Sequence, residues 1–166
     1  EMQAGYLAAR HLIERGNERI GFLYRYQVAY SLPRRLEGVR RAARDAGAPE
    51  PEVYRRESDE QTLETLRVWR GRGVTGIVVF CDIEALQLVS LLREAGMDGD
   101  FSLIGFDNIE RVLGLPTPLC TVDGSLETMA QKAFERLDQR IRGDSSPCGT
   151  VMLPARVVCR GSCRRK

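Results

Sequence analysis

The chain has 166 residues, a length that favours a single globular domain. Its net charge of +2 excludes the strongly basic field with which some proteins bind nucleic acid through charge alone. Hydrophobic residues make up 43% and charged residues 29%, which excludes a disordered chain, and no apolar run has the length of a membrane span. The five cysteines are irregularly spaced, which argues against a disulfide framework and favours a reducing, cytoplasmic compartment.

The first half of the sequence alternates helical and strand-like segments. Residues 4–15 carry apolar side chains at helical spacing and end at a glycine, and residues 19–24 are a short, β-rich apolar run. A second helix is predicted over residues 33–46. Residues 53–56 fit a short edge strand, and the polar pattern after Ser58 predicts the capped start of a third helix.

The second half continues the alternation. Residues 73–81 are an unbroken β-branched run, typical of a parallel strand buried on both faces, and a helix over residues 83–95 follows. Residues 101–107 are a second buried strand, and residues 113–122 form a proline-rich connection. A helix over residues 125–142 precedes an extended segment whose proline restricts it to a sheet edge or a crossover. This order predicts an α/β fold, an open, mostly parallel sheet with helices on both faces.

Polar side chains follow each predicted core strand. In such sheets ligands bind beyond the carboxyl ends of the strands. Ser31 and Arg35 follow the first strand, Cys81 ends the second, and Asp107 and Asn108 follow the third. An arginine fork with a carboxylate and an amide suits a polyhydroxylated small molecule, because each group can bond to adjacent hydroxyls. The alternative, that these residues cap helices or line loops, stays open.

Other polar residues have simpler interpretations. Asp82 stands where a side-chain oxygen would cap the next helix. His11, the only histidine, lies in mid-helix without a catalytic partner placed by spacing. Cys159 and Cys163, with Cys148 upstream, lack the paired spacing of a zinc site, so we expect no metal and no cofactor. Motifs of nucleophilic or metal-dependent catalysis are absent from the sequence, which therefore gives no positive evidence for an enzyme.

The helix over residues 83–95 is apolar around most of its circumference. This apolar surface is wider than a helix needs to cover one face of a sheet. One interpretation is a helix that is fully buried in the domain. The other is that a second apolar face, including Leu88 and Leu92, packs against another copy of the chain in a two-fold homodimer.

Several runs occur in a specific order between about residues 4 and 163. They are AARHLIERGNERIGFL, SLPRRLEGVRRAARDAG, TGIVVFCDIEAL with LLREAG, FSLIGFDN, PLCTVDGSLETMAQKAFERLDQRI and LPARVVCRGSC. As a set they resemble the effector-binding domain of the LacI family of bacterial transcription regulators.

The resemblance implies a periplasmic-binding-protein-like fold of two α/β lobes, with the effector between them and operator DNA bound by an N-terminal headpiece. It also implies that the sequence begins partway through such a protein. Residues 5–122 and 150–163 would then form the C-terminal lobe, and the helix over 125–142 would belong to the other lobe. Arg35 matches the effector-binding arginine of the family, and Asp107 matches its effector-contacting aspartate.

Four other features of the sequence bear on the choice of effector. Ser31 lies in a loop that often adds a hydroxyl contact in the family. Cys81 stands where the family usually has a ligand-binding asparagine, and Asn108 replaces a common second aspartate. Residues 58–60 lack the aromatic residue on which many members stack the effector. The sequence therefore leaves two classes of effector open, a sugar and a nucleoside-like compound.

The resemblance leads to one main functional hypothesis and two rivals. We expect the effector-sensing domain of a cytoplasmic, homodimeric repressor that has no membrane contact. A solute-binding protein of a sugar transporter would share the two-lobe architecture. A sugar-processing α/β enzyme is the second rival, and it would need a nucleophile and base, or a metal cluster, at the strand ends.

Overall fold

The structure of the chain is a computed structural model. It describes residues 1–25, 30–109, 118–147 and 149–163. These ranges contain five helices: α1 Met2–Ile13, α2 Ser31–Asp45, α3 Asp59–Gly71, α4 Asp82–Glu94 and α5 Leu126–Ile141. They also contain six strands: β1 Ile20–Tyr24, β2 Glu52–Arg55, β3 Gly76–Val79, β4 Ser102–Phe106, β5 Cys120–Asp123 and β6 Arg156–Val158. None of the helices in these ranges combines the length and apolarity needed to cross a membrane.

The six strands form one sheet in the order β2-β1-β3-β4-β5-β6. The first five run parallel and β6 pairs antiparallel with β5 at the edge. The predicted open, mostly parallel α/β sheet is confirmed, and β2 and β6 are the edge strands that the sequence indicated. The proline-rich connection was placed over too many residues, because β5 occupies its last positions and hydrogen-bonds with β4.

Helices cover both faces of the sheet. α1 and α2 pack on one face, against a core that includes Phe22 and Ile104, and α3 and α4 pack on the other. Leu88 and Leu92 point into this second core and are 0% and 4% exposed. The expectation that these two side chains form a dimer surface is therefore wrong, since the sheet and α3 already cover that face of α4.

Two glycines let α1 and α2 approach each other backbone to backbone. A Cβ atom at Gly5 would lie against the carbonyl oxygen of Arg35, and one at Gly38 would lie against the carbonyl oxygen of Met2. The contact needs glycine on both helices because backbone atoms cannot move aside as a side chain can. This crossing fixes the segment of α2 that carries Arg35.

Helix α5 is isolated from both cores. None of its residues, all of which the structure describes, is buried, and the apolar side chain of Phe134 is 71% exposed. Leu126, Met129, Leu137 and Ile141 are also exposed on this helix. The predicted helix is confirmed, and the other residues that the structure describes leave its apolar side chains exposed.

The glycine crossing can be tested by adding a single methyl group. Gly38→Ala should lower the free energy of unfolding by about 1–3 kcal/mol, because the methyl group overlaps backbone atoms of α1. Gly71→Ala is the matched control, since a Cβ at the end of α3 meets nothing within 4 Å. Urea unfolding of both variants measures the difference, and equal stability would contradict the close approach.

Candidate functional site

The candidate site is centred on the buried guanidinium of Arg35, at the carboxyl edge of the sheet. Its Nη1 donates to the carbonyl oxygen of Phe80 at 2.6 Å, directly after β3. Its Nη2 lies 3.5 Å from Oδ1 of Asp107, which follows β4. Its Nε donates to Glu1 Oε2 at 2.5 Å. One side chain of α2 thus connects the ends of two central strands.

Two aromatic rings flank the same guanidinium. The Arg35 Cζ atom lies 4.4 Å from the ring centroid of Phe106 and 4.8 Å from that of Phe80. Both distances are in the range of cation–π contacts. Sequence reasoning missed these rings, although phenylalanine is the last but one residue of each of the two apolar runs. Together with the three hydrogen bonds, the rings restrict the movement of the planar guanidinium.

The turn after β4, which carries the carboxylate of the pair, has an unusual backbone conformation. Asp107 has a φ of 97° and Asn108 a φ of 55°, and residues other than glycine seldom adopt such positive φ angles. The N–H of Asp107 donates to the carbonyl oxygen of Val122 at 3.0 Å, and the N–H of Asn108 donates to Thr121 Oγ1 at 3.2 Å. Strand β5 therefore holds the turn in place.

Asp82 completes the support of this turn. Thr121 Oγ1 donates to its Oδ1 at 2.8 Å, and the N–H of Ile109 donates to its Oδ2 at 3.1 Å. The prediction that Asp82 caps α4 is wrong, because Cys81 occupies the cap position and the Asp82 side chain is turned into the protein. Gly105 leaves space for the carboxylate, which a Cβ at that position would overlap.

Burial changes the acidity of both carboxyl groups. It raises the pKa of Asp82 to about 7, against the opposing effect of the hydrogen bond from Thr121. Burial also raises the pKa of Asp107 from its ordinary value, while the positive charge of Arg35 acts in the opposite direction. Asp82 is a positioning residue for the turn, whereas Asp107 lies beside the cavity.

The remaining predicted site residues neighbour Arg35, Phe80 and Asp107 along the chain. Cys81 is half-buried directly after Phe80, and burial raises the pKa of its thiol to about 11, so the thiol is neutral at ordinary pH. Ser31 begins α2 and is half-buried. Asn108 follows Asp107, and its Oδ1 accepts a hydrogen bond of 2.6 Å from Arg160 Nη2. A role of these three in binding stays a prediction.

A cavity of about 290 Å³ opens beside the Arg35–Asp107 pair. It lies between the sheet edge and α5, and its lining also includes Tyr30, Phe106 and Met129. A larger groove of about 680 Å³ lies near Arg56, but its lining is mostly charged surface side chains and does not contain the pair. The smaller cavity combines an apolar wall with a few fixed polar groups, which is typical of small-molecule sites.

The periplasmic binding protein-like domain family matches residues 9–163. The chain belongs to this family. It is 33% identical over 153 residues to the HTH-type transcriptional repressor PurR of Actinobacillus pleuropneumoniae serotype 3, covering 87% of this chain and 45% of that protein. It is 29% identical over 165 residues to the HTH-type regulator MalR of Streptomyces coelicolor, covering 94% and 48%. The chain thus spans about half the length of these curated relatives.

Solved structures of LacI-family regulators have the same fold. One, from Enterococcus faecium with bound ribose, has a TM-score of 0.85 and 25% identity, and the match covers 99% of this chain and 63% of that chain. Another, from Corynebacterium glutamicum, has a TM-score of 0.79 and 27% identity, covering 99% and 65%. The resemblance to the effector-binding domain of LacI-family regulators is confirmed, and the named relatives are regulators rather than enzymes.

The support that Asp82 gives to the turn can be tested through pH. Because the folded protein holds the Asp82 proton up to about pH 7 and an unfolded carboxyl releases it near pH 4, folding stability should fall as the pH rises between these values. This loss should be up to about 4 kcal/mol, and it should be absent in Asp82→Asn, whose amide does not ionise.

Urea unfolding from pH 4 to pH 8 measures this difference between the wild type and Asp82→Asn. Asp45→Asn is the control, because the Asp45 side chain is 50% exposed at the end of α2 and should leave the pH dependence of the wild type unchanged. Parallel curves for the wild type and Asp82→Asn would show that Asp82 is not buried as described.

Proposed function

We propose that this chain is the effector-sensing part of a LacI-type transcriptional repressor, and that a small polyhydroxylated molecule such as a sugar binds at the carboxyl edge of its sheet. The observation that carries the proposal is the Arg35–Asp107 pair. The guanidinium is buried, fixed between Phe80 and Phe106, and paired with a carboxylate that lines a cavity.

The pair offers complementary hydrogen bonds to neighbouring hydroxyl groups. A guanidinium has five N–H groups. In Arg35 one N–H each goes to Phe80, Asp107 and Glu1, and the other two have no partner among the described residues and can donate to ligand oxygens. The Asp107 carboxylate accepts from hydroxyls, so vicinal hydroxyl groups can donate to one residue and accept from the other. Ribose bound to a relative supports a sugar, and a nucleoside-like compound presents the same hydroxyl chemistry.

Helix α5 supports a two-lobe arrangement. In this proposal residues 5–122 and 150–163 form one lobe, while the helix over 125–142 belongs to a second lobe that covers its apolar side chains. An effector between the lobes would favour the closed arrangement, and only its different affinity for the open and closed forms can change the affinity for DNA. Operator binding by an N-terminal headpiece, a homodimer and a cytoplasmic location complete the proposal.

A transporter's solute-binding protein would have the same architecture. The relatives named above are transcriptional regulators, and this favours regulation over transport. Because Leu88 and Leu92 lie in the core, a homodimer would use another surface of the molecule.

The binding site can be tested by calorimetric titration of the full-length gene product with ribose, other pentoses, hexoses and nucleosides. Arg35→Lys keeps the charge but removes the planar fork, and Asp107→Asn keeps the shape but removes the charge. Each should weaken binding at least about tenfold, or 1.4 kcal/mol, because a charge-assisted hydrogen bond is lost.

Arg44→Ala is the matched control for this titration. Arg44 is another arginine of α2, but it is exposed in the last turn of the helix and pairs with Glu37 at 2.8 Å, away from the cavity. Its substitution should change the affinity less than about twofold. Unchanged affinity in both Arg35→Lys and Asp107→Asn would remove the pair from the site, and failure of every compound to bind would contradict a polyhydroxylated effector.

The assignment of α5 to a second lobe predicts that one substitution affects the stability of the 166-residue chain and of the full-length protein differently. Phe134→Glu in the 166-residue chain should change the free energy of unfolding by less than about 0.5 kcal/mol, since the side chain is exposed there. In the full-length protein the same change should cost about 2–4 kcal/mol, because a buried apolar contact is replaced by a charge. Equal effects in both would contradict the assignment.

A further inference from the structure

A cluster of metal-binding side chains lies at the other edge of the sheet, where the parallel strands begin. The ligand atoms of His11, Cys120 and Cys163 all lie within 4.8 Å of one another. Cys120 and Cys163 are buried, and His11 is half-buried on α1. The exposed Cys159 adds a fourth group, with its Sγ 3.5 Å from Cys120 Sγ.

Spacing along the chain did not reveal this cluster. The expectation of no zinc site rested on the lack of a paired cysteine motif, yet the fold brings together residues from α1, the start of β5 and the segment after β6. Asp107 follows β4 and Cys120 begins the neighbouring parallel strand. The cluster is therefore separate from the proposed effector site.

We propose that His11, Cys120, Cys159 and Cys163 bind one zinc(II) ion. Three thiolates and an imidazole in tetrahedral arrangement are a common structural zinc site. Bond lengths of about 2.3 Å to sulfur and 2.0–2.1 Å to nitrogen place such ligand atoms about 3.5–3.8 Å apart. The Sγ atoms of Cys120 and Cys159 are already near this spacing, and shifts of about an ångström would bring the ligand atoms of His11 and Cys163 to the same spacing from Cys120.

Hydrogen-bond donors around the cluster suit bound thiolates. The backbone N–H of Arg160 donates to Cys120 Sγ at 3.3 Å, and Arg15 Nη2 donates to Cys159 Sγ at 3.2 Å. Three thiolates around zinc(II) carry a net charge of −1, which the guanidinium of Arg15 offsets. Arg15 Nε also donates to His11 Nε2 at 3.0 Å, so this contact is given up if the ion binds at that nitrogen.

The ion would stabilise one edge of the domain. It would link α1 to the start of β5 and to the segment that follows β6. Strand β6 is the antiparallel edge strand of the sheet. Sites of this kind contribute directly to folding stability.

The test is zinc analysis and cobalt(II) titration of the protein purified under reducing conditions. The wild type should hold one zinc per chain and give the visible absorption of tetrahedral cobalt thiolate. Cys120→Ser and Cys163→Ser should each lose at least about tenfold in metal affinity. Cys81→Ser is the matched control, because its thiol lies at the opposite edge of the sheet and its loss should leave the zinc content unchanged. A wild type without stoichiometric zinc would overturn the proposal.

Thermal unfolding separates loss of the ion from loss of the fold. Zinc should raise the melting temperature of the wild type but not that of Cys163→Ser, and a chelator should abolish the rise in the wild type. Equal stabilisation of both by zinc would overturn the proposal. So would a wild type that takes up no zinc and instead forms a disulfide between Cys120 and Cys159 when the reductant is removed.

Discussion

The charge pair of Arg35 and Asp107 depends on how one buried guanidinium is held. The glycine crossing of α1 and α2 brings the backbone of Arg35 against α1. The Nη1 of Arg35 then donates a hydrogen bond to the carbonyl oxygen of Phe80. A buried cation without partners would cost several kcal/mol, so these contacts are needed to hold the charged side chain beneath the cavity. Loss of the contact with Phe80 would remove one of the interactions that hold Arg35 beside Asp107.

Much of the fold could be predicted because hydrophobic periodicity and turn residues act locally. The β-branched run over residues 73–81 indicated a central parallel strand, and Ser58 indicated the start of α3, where its Oγ accepts from the N–H of Gln61 at 3.2 Å. β5 escaped prediction because it is short and follows prolines, so its pairing with β4 decides its structure. The burial of Leu88 likewise depends on tertiary packing, which a helical pattern alone does not specify.

The candidate site was predictable only in part. Strand ends indicated Arg35 and Asp107, because residues that follow parallel strands meet at one edge. The role of Asp82 was not predictable, since its partner Thr121 lies 39 positions away along the chain. The same limitation applies to His11 and Cys163, which approach each other only in the folded chain. Interactions between distant positions leave no local pattern in one sequence.

The most direct test of the central pair is a double-mutant cycle on effector binding. Arg35→Lys, Asp107→Asn and the double variant are titrated with the compound that the wild type binds best. If the two side chains act together on the ligand, their effects on the binding free energy will be non-additive by about 1 kcal/mol or more. Additive effects would show that the guanidinium and the carboxylate do not form one recognition unit.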